Sequence, residues 1–474
     1  CIAGLAAARA LRMAGIDDIV LLELEDSAGG NSRGHVMGGL ACPLGVHYLP
    51  LPGPQATEVA AWLQEIGLLR MQHGRLAADE RHLCHAPQER LWVDGAWHEG
   101  LLPPADPASA TQAQYRAFAH AVATVQHDAR FAAPTARAPW TAVHADLDGQ
   151  TFAAWLQARG LTDERLRWFL DYSCRDDYGA PAAQVSAWAG LHYFASRHGF
   201  HAPGDETDDR DAVLTWPEGN HWLVQRLAAP LGPRVQAGRI VRRVEVGRHG
   251  VQVLAERAGS GGGIRDLESW QAAAVVMAVP LPVAMRLLPM APPALAAAAQ
   301  GLQQAPWLVA NLHLRAAPLD GGLGAAPAWD NVRFGSITLG YVDAGHQRLD
   351  PRPGPTVLTA YSAWPADQRA ALAGDDWRPW AQRVLDELTP LHPDLPGLVQ
   401  RIDLARYGHA MSIPVPGRRS LAAPGGPLAA LADPGAASRL QVAHADLSAY
   451  SVFEEAFTHG HRAGQAAAVR VRSG

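Results

Sequence analysis

Apolar and polar positions change period several times along the chain. Ala6 to Met13 run without a breaker and predict a helix, Gly15-Ile16-Asp17-Asp18 a turn, and Ile19-Val20-Leu21-Leu22 a strand with the apolarity of a buried parallel strand, closed by Glu23. From about residue 55 to 213 the pattern turns helical, with Thr57 to Leu69 and Thr151 to Tyr172 as the clearest runs between proline-rich loops. After the turn Trp216-Pro217-Glu218-Gly219-Asn220 come a helix from His221 to Leu231, β-like runs Arg234 to Val246 and Gly250 to Arg257, and the apolar stretch Ala273 to Ala278. Residues 290 to 415 alternate strand-like runs (Trp307 to Leu314, Ser336 to Tyr341, Thr356 to Tyr361) with a helix from Trp377 to Leu388. Leu440 to Val471 reads as strand, turn and helix. This mixture predicts an α/β chain, and 474 residues are too many for one simple core.

The beginning of the chain carries the most specific signal. Gly4, at the start of the predicted helix, fits the third glycine of a dinucleotide-binding fingerprint, the one that lets helix and strand pack closely. The helix N-terminus then offers N–H groups to pyrophosphate, and Glu23, about twenty residues on, stands where a carboxylate accepts hydrogen bonds from ribose. Either NAD or FAD satisfies this pattern. The strand that should precede the glycines is absent, so the chain is expected to lack its true N-terminus, and Cys1 stands where a second glycine is usual.

Composition narrows the chemistry. The net charge of −6 provides no basic field for nucleic acid, and no apolar stretch reaches 18 residues, so no transmembrane segment is expected. All 40 basic residues are arginine, which removes Schiff-base, lysine-base and P-loop lysine chemistry. Cys1, Cys42, Cys84 and Cys174 are scattered and predict neither a disulfide framework nor a zinc ribbon; they leave the compartment open. The sequence His82-x-Cys84-His85 lacks a fourth ligand and argues against a metal. Gly259 to Gly263 follows a strand with no helix after it and reads as a hairpin connection rather than a second phosphate loop. Asp205, Glu206, Asp208, Asp209 and Asp211 read as a solvated loop rather than a cation-binding rim.

The order of Gly4, Glu23, Gly29-Gly30, Pro217-x-Gly219, the strand around Val241, Ala273 to Pro280, and Ala445-Asp446 before a terminal helix resembles the FAD-dependent amine oxidase superfamily. The resemblance spans nearly the whole chain. It implies a discontinuous Rossmann-like FAD-binding domain (1–54, 214–290, 416–474) interleaved with an α+β substrate domain (55–213, 291–415). It also implies cofactor contacts by position: Gly4 and Leu5 at the pyrophosphate, Glu23 at the ribose, and the Val241 backbone at adenine. Gly29, Gly30, Asn31, Ser32 and Arg33 lie along the phosphate and ribityl chain, with Asn31 where an arginine is usual. Gly45, Val46 and His47 belong to the loop near the flavin ring, and Asp446, Val452 and Phe453 to the ribityl contact and the helix that faces the flavin N1 and O2 edge, where an N-terminal dipole stabilises reduced flavin. The family's cysteine-bearing C-terminal attachment sequence is missing, which implies non-covalent FAD.

In that frame Asn311 takes the position where many members carry a water-holding lysine, leaving no positive charge to assist reaction with oxygen. His47 and His409 are candidates for an active-site role, against simple packing, and Trp307 and Tyr407 for aromatic walls around an organic cation. Asp176 and Asp177 are open between binding a distal ammonium and a loop-capping salt-bridge cluster. The implied activity is oxidation of an amine by hydride removal from the carbon next to nitrogen, giving an imine. A desaturase or isomerase of an apolar substrate, or a flavin-binding protein without turnover, uses the same frame; substrate, acceptor and oligomeric state stay open.

Overall fold

The structure is a computed structural model that describes residues 1–72, 74–205, 212–257, 266–320, 323–348, 352–435 and 437–473. The alanine-rich opening forms helix α1 (Ile2–Met13), and the apolar run behind it yields the short strand β1 (Leu21–Leu22). Helix α2 (Glu164–Tyr178) follows in the middle of the chain, then strands β2 (Val235–Gln236), β3 (Val275–Met277), β4 (Gln304–Leu314), β5 (Thr356–Ala363), β6 (Val399–Ser412) and β7 (Leu440–Val442), and the terminal helix α3 (Phe453–Arg472).

Three stretches far apart in sequence build the first region. β1 pairs parallel with β2, and β3 pairs parallel with β7. Helix α1 lies along α3 through small residues: a Cβ on Gly460 or Gly464 would collide with the carbonyl oxygens of Ala3 and Ala7. Only glycine permits this backbone approach, and it explains why Ala3, Ala6, Ala7 and Ala10 are buried. Gly4 is similarly close to β3, since a Cβ there would meet Ala278 Cβ at 3.3 Å. Arg239–Val246, Val251–Arg257 and Leu267–Ala272 form an antiparallel three-stranded sheet beside this region. Gly259 to Gly263, which connect its last two strands, lie outside the described residues.

The second region rests on a seven-stranded sheet in the order β6, β4, β5, Tyr341–Asp343, Asp330–Arg333, Glu89–Val93, Ala96–Glu99, with helices packed on the β4 face. In register, Trp307 stands opposite Tyr407, and Val309 opposite Tyr361.

Several expected elements are redrawn: the run Arg234 to Val246 divides into β2 and Arg239–Val246 in different sheets, the helix from Thr57 ends at Glu65, and that from His221 ends at Ala228. The helical run from Thr151 to Tyr172 is split into Phe152–Ala158 and α2, because Gly160 takes φ +66° and Asp163 caps α2 by accepting from the Leu166 N–H. The strand expected from Ser336 begins only at Tyr341. Gly335 and Gly340 turn the chain at φ +75° and +83°, and the hydroxyl of Ser336 donates to Glu387 at 2.7 Å instead of leaving the backbone to a ladder. Of the acidic loop, Asp205 pairs with Arg116 at 3.0 Å; Glu206, Asp208, Asp209 and Asp211 lie outside the described residues.

Candidate active site

A cavity of about 320 Å³ opens where the two regions meet. One wall comes from the dinucleotide-like region. Gly29 and Gly30 turn with φ +136° and +60°, and a Cβ on Gly30 would sit 3.2 Å from that of Cys1. Asn31 and Ser32 continue this wall. Cys1 caps the start of α1 and Val452 that of α3, and neither makes a side-chain capping bond among the described residues. Both helix starts line the cavity, so uncapped N–H groups and the positive ends of two helix dipoles face the same space. A glycine cradle plus two helix N-termini suits the phosphates and reduced-ring charge of a flavin dinucleotide.

The loop Gly45-Val46-His47 is held by backbone. Val46 N–H donates to the Asn31 carbonyl at 2.9 Å, Asn220 N–H donates to the Val46 carbonyl at 3.1 Å, and the Asn220 amide donates to the Tyr48 carbonyl at 2.9 Å. Gly45 and Gly219 are required by space, since a Cβ on Gly45 would run into the Asn31 oxygen and one on Gly219 would lie 2.7 Å from the Val46 oxygen. Asn31 also donates its amide to the Ala410 carbonyl at 2.7 Å and joins this loop to β6. His47 then projects among rings, 4.3 Å from Tyr361 and 5.1 Å from Tyr48 between centroids. Burial lowers its pKa to about 3, so the imidazole is neutral at physiological pH.

Trp307, Tyr407 and His409 line the same cavity. The indole N–H of Trp307 is buried without an acceptor among the described residues, and Gly179, the left-handed end of α2 at φ +69°, makes room for it: a Cβ there would lie 2.7 Å from that nitrogen. Tyr407 donates its hydroxyl to the Leu44 carbonyl at 2.7 Å. His409 is exposed at the rim, its pKa lowered by burial of part of the ring and by Arg369 and Arg286.

Asp446 reaches the cavity fully buried. Its oxygens accept from the Leu281 N–H at 2.9 Å and from the Ser412 hydroxyl. Burial opposes its charge, yet His444, Ser412 and Leu281 together hold the pKa at about 2.

Other residues singled out by sequence do not line this cavity. Asn311 is buried on β4, donating to the Pro43 carbonyl at 2.9 Å and accepting from the Thr359 hydroxyl at 2.7 Å; it braces the strand against the loop that carries His47. Gly4, Leu5, Glu23, Arg33 and Val241 lie in the dinucleotide-like region outside the lining. Among them, Glu23 sits 3.6 Å from the Cys1 nitrogen, and Arg33 pairs with Glu25 at 3.0 Å. His82 accepts from the Trp216 indole at 2.9 Å, and Cys84 from the Gln347 amide at 3.5 Å, so both have protein partners.

Sequence reasoning passed over Tyr48, Tyr361, Gln304, Val309 and Arg197, which all line the cavity. The alternation on β5 contained a signal for Tyr361, because it faces the same way as Val309 across the sheet. Asp176 and Asp177 also lie in the wall, and Asp177 pairs with Arg197 at 3.6 Å.

The sequence pattern of the flavin-containing amine oxidoreductases matches residues 2–468. No sequence among the curated proteins matches the chain. Among solved structures, a redesigned putrescine oxidase shares 19% identity at a TM-score of 0.68, over 99% of this chain and 97% of that one. Cyclohexylamine oxidase from Brevibacterium oxydans IH-35A shares 17% at 0.68, over 100% and 97%, and a CLA-producing fatty acid isomerase from P. acnes shares 16% at 0.61, over 97% and 95%. These likenesses establish a shared fold, and no helix among the described residues is long and apolar enough to cross a membrane. With the match over nearly its whole length, the chain belongs to the flavin-containing amine oxidoreductase family and is an FAD-dependent oxidoreductase.

Proposed function

We propose that this protein oxidises an amine at the carbon bonded to nitrogen, releasing an imine that water hydrolyses. One observation carries the reading: the cavity beside the two helix N-termini is walled by aromatic rings and by carboxylates, Asp176 and Asp177, rather than by aliphatic side chains alone. Carboxylates attract organic cations and the rings add cation–π attraction, whereas a hydrocarbon chain would gain from the rings alone. The fatty acid isomerase shares the fold, but an anionic substrate would meet Asp176 unfavourably, since the Arg197 of this wall is engaged by Asp177.

When bound, FAD supplies the two-electron acceptor. In this reading Gly4, Leu5 and the Gly29-Gly30 turn hold the pyrophosphate, with Ser32 and Arg33 along the chain, Glu23 takes the ribose, and the Val241 backbone takes adenine. Asp446 orders the turn before α3, and Val452 and Phe453 present the helix N–H groups to the ring edge. Trp307, Tyr361 and Tyr407 exclude water and orient the amine. His47, neutral in its aromatic surroundings, positions the amine without carrying a proton. The amine must arrive with its lone pair free, so solvent rather than a protein lysine takes its proton. Segments 1–54, 214–290 and 416–474 serve the cofactor, and 55–213 and 291–415 the substrate.

FAD is held here without a covalent bond. Burial pushes the thiols of Cys42 and Cys84 up to about 12 and that of Cys174 well above its ordinary value, which leaves them unreactive; Cys1 lines the wall beside the glycine turn. Acid precipitation of the purified yellow protein should leave all FAD in the supernatant. A flavin that remains in the pellet contradicts non-covalent binding, and a colourless protein that takes up no FAD contradicts the functional reading.

A further inference from the structure

If the amine reading stands, the acidic part of the cavity faces a cationic substrate, and its geometry indicates which part of that substrate it holds. Asp176 and Asp177 occupy the last turn of α2. Asp177 is already neutralised by Arg197, whose charge persists because Asp177 and the surrounding tyrosines outweigh its burial. Asp176 makes no ion pair among the described residues: the neighbouring Arg175 turns to Asp171 at 3.2 Å. Behind it, Glu89 and Asp330 stand directly opposite each other on parallel strands, and Glu89 is close enough to act on Asp176, as Asp176 is on Asp330. Asp177, Glu89 and Asp330 thus all act on or with Asp176, while the nearest guanidinium, Arg197, is paired with Asp177. Burial and Asp177 accordingly raise the Asp176 pKa to about 7.

A second observation points into the same space. The hydroxyl of Tyr361, 4% exposed and lining the cavity, has no hydrogen-bond partner among the described residues, and Asp330 and Asp176 both act on it. A buried hydroxyl without a partner costs stability unless a ligand satisfies it. An ammonium donates three hydrogen bonds and suits a carboxylate and a phenolic oxygen together.

We infer that Asp176, with the Tyr361 hydroxyl, binds a second cationic group of the substrate, so that the protein selects diamines or longer polyamines over monoamines. The reacting nitrogen is not the group held there. A carboxylate beside it would keep it protonated and withhold the lone pair that imine formation needs. Asp176 is therefore a specificity residue, and the charge of the distant end fixes which carbon is presented.

The test uses the FAD-loaded full chain and compares kcat/KM for n-alkylamines, α,ω-amino alcohols and α,ω-diamines of equal chain length. In the wild type, the best diamine should exceed its matched monoamine at least tenfold, while the amino alcohol, equal in length but uncharged at its far end, behaves as the monoamine does. In D176N the diamine-to-monoamine ratio should fall at least tenfold, with partial recovery in D176E. Equal kcat/KM for amino alcohol and diamine in the wild type overturns the inference without any variant, and so does an unchanged ratio in a D176N protein that keeps its flavin spectrum. If no compound of any series reduces the flavin, the amine reading itself has failed, a result distinct from turnover of monoamines and diamines alike.

Discussion

The imidazole of His47 lies 4.3 Å from the ring of Tyr361, their planes 30° apart, so the histidine forms part of an aromatic wall. Because burial holds its pKa near 3, below the value in an unfolded chain, the folded state refuses a proton that the unfolded state accepts. Stability is therefore lost as pH falls from about 6.5 toward 3. H47Q should reduce that acid sensitivity and raise KM through lost stacking, while the pH profile of kcat/KM across the neutral range keeps its shape. Disappearance of an inflection near neutrality in H47Q would show that His47 titrates during turnover.

Asp176 has the opposite sign. Its folded pKa, about 7, exceeds that of an unfolded aspartate, so the folded protein binds the extra proton and loses stability as pH rises through about 4 to 7. The groups that face it are Asp177, Arg197, Glu89, Arg175 and Asp330, with Tyr48, Tyr172, Tyr193 and Tyr361 around them. D176N, measured by urea unfolding without substrate, should be more stable than wild type above neutral pH by a few kcal/mol, since each pH unit between the folded and unfolded pKa values is worth about 1.4 kcal/mol. Below about pH 4, where both states hold the proton, the two proteins should unfold alike. A D176N protein destabilised above neutral pH would mean that Asp176 is a structural anion.

Gly460 and Gly464 set the distance between α1 and α3, and with it the placement of both helix N-termini at the cavity. G460A forces backbones apart where Ala3 leaves no space, an overpacking that costs about 1–3 kcal/mol. FAD affinity should fall together with the melting temperature, measurable by titrating FAD into deflavinated protein. Unchanged affinity in a destabilised G460A would separate packing from cofactor binding.

Much of this was legible in the chain and part of it was not. Helix α1, strand β1 and the Gly29-Gly30 turn could be read because each depends on backbone geometry that local sequence dictates. Gly460-x-x-x-Gly464 was not read, since its meaning lies in Ala3 and Ala7 at the opposite end of the chain. The strand expected at Ser336 failed because its hydroxyls found side-chain partners that only the tertiary structure supplies. Arg197 carries no local sign of its role; the ion pair with Asp177 exists only once α2 and the segment after Ala187–Ala195 meet.

Asn311 bears on the electron acceptor. Its amide is occupied by Pro43 and Thr359, and a lysine-free chain supplies no ammonium beside the flavin region. The reduced protein should therefore react slowly with oxygen and faster with an artificial quinone or dye. Stopped-flow mixing with aerated buffer measures this directly, and reoxidation as rapid as in an efficient oxidase would contradict it.

The proposed activity requires that an amine lose hydride from its α-carbon in this cavity. Anaerobic stopped-flow reduction of the FAD-loaded protein, with a diamine and its form dideuterated at the α-carbon of each end, asks this of the reacting bond itself. The flavin absorption should bleach with a normal primary isotope effect on the reduction rate. Absence of bleaching across diamines, monoamines and amino alcohols, in a protein with a full flavin spectrum, would contradict it.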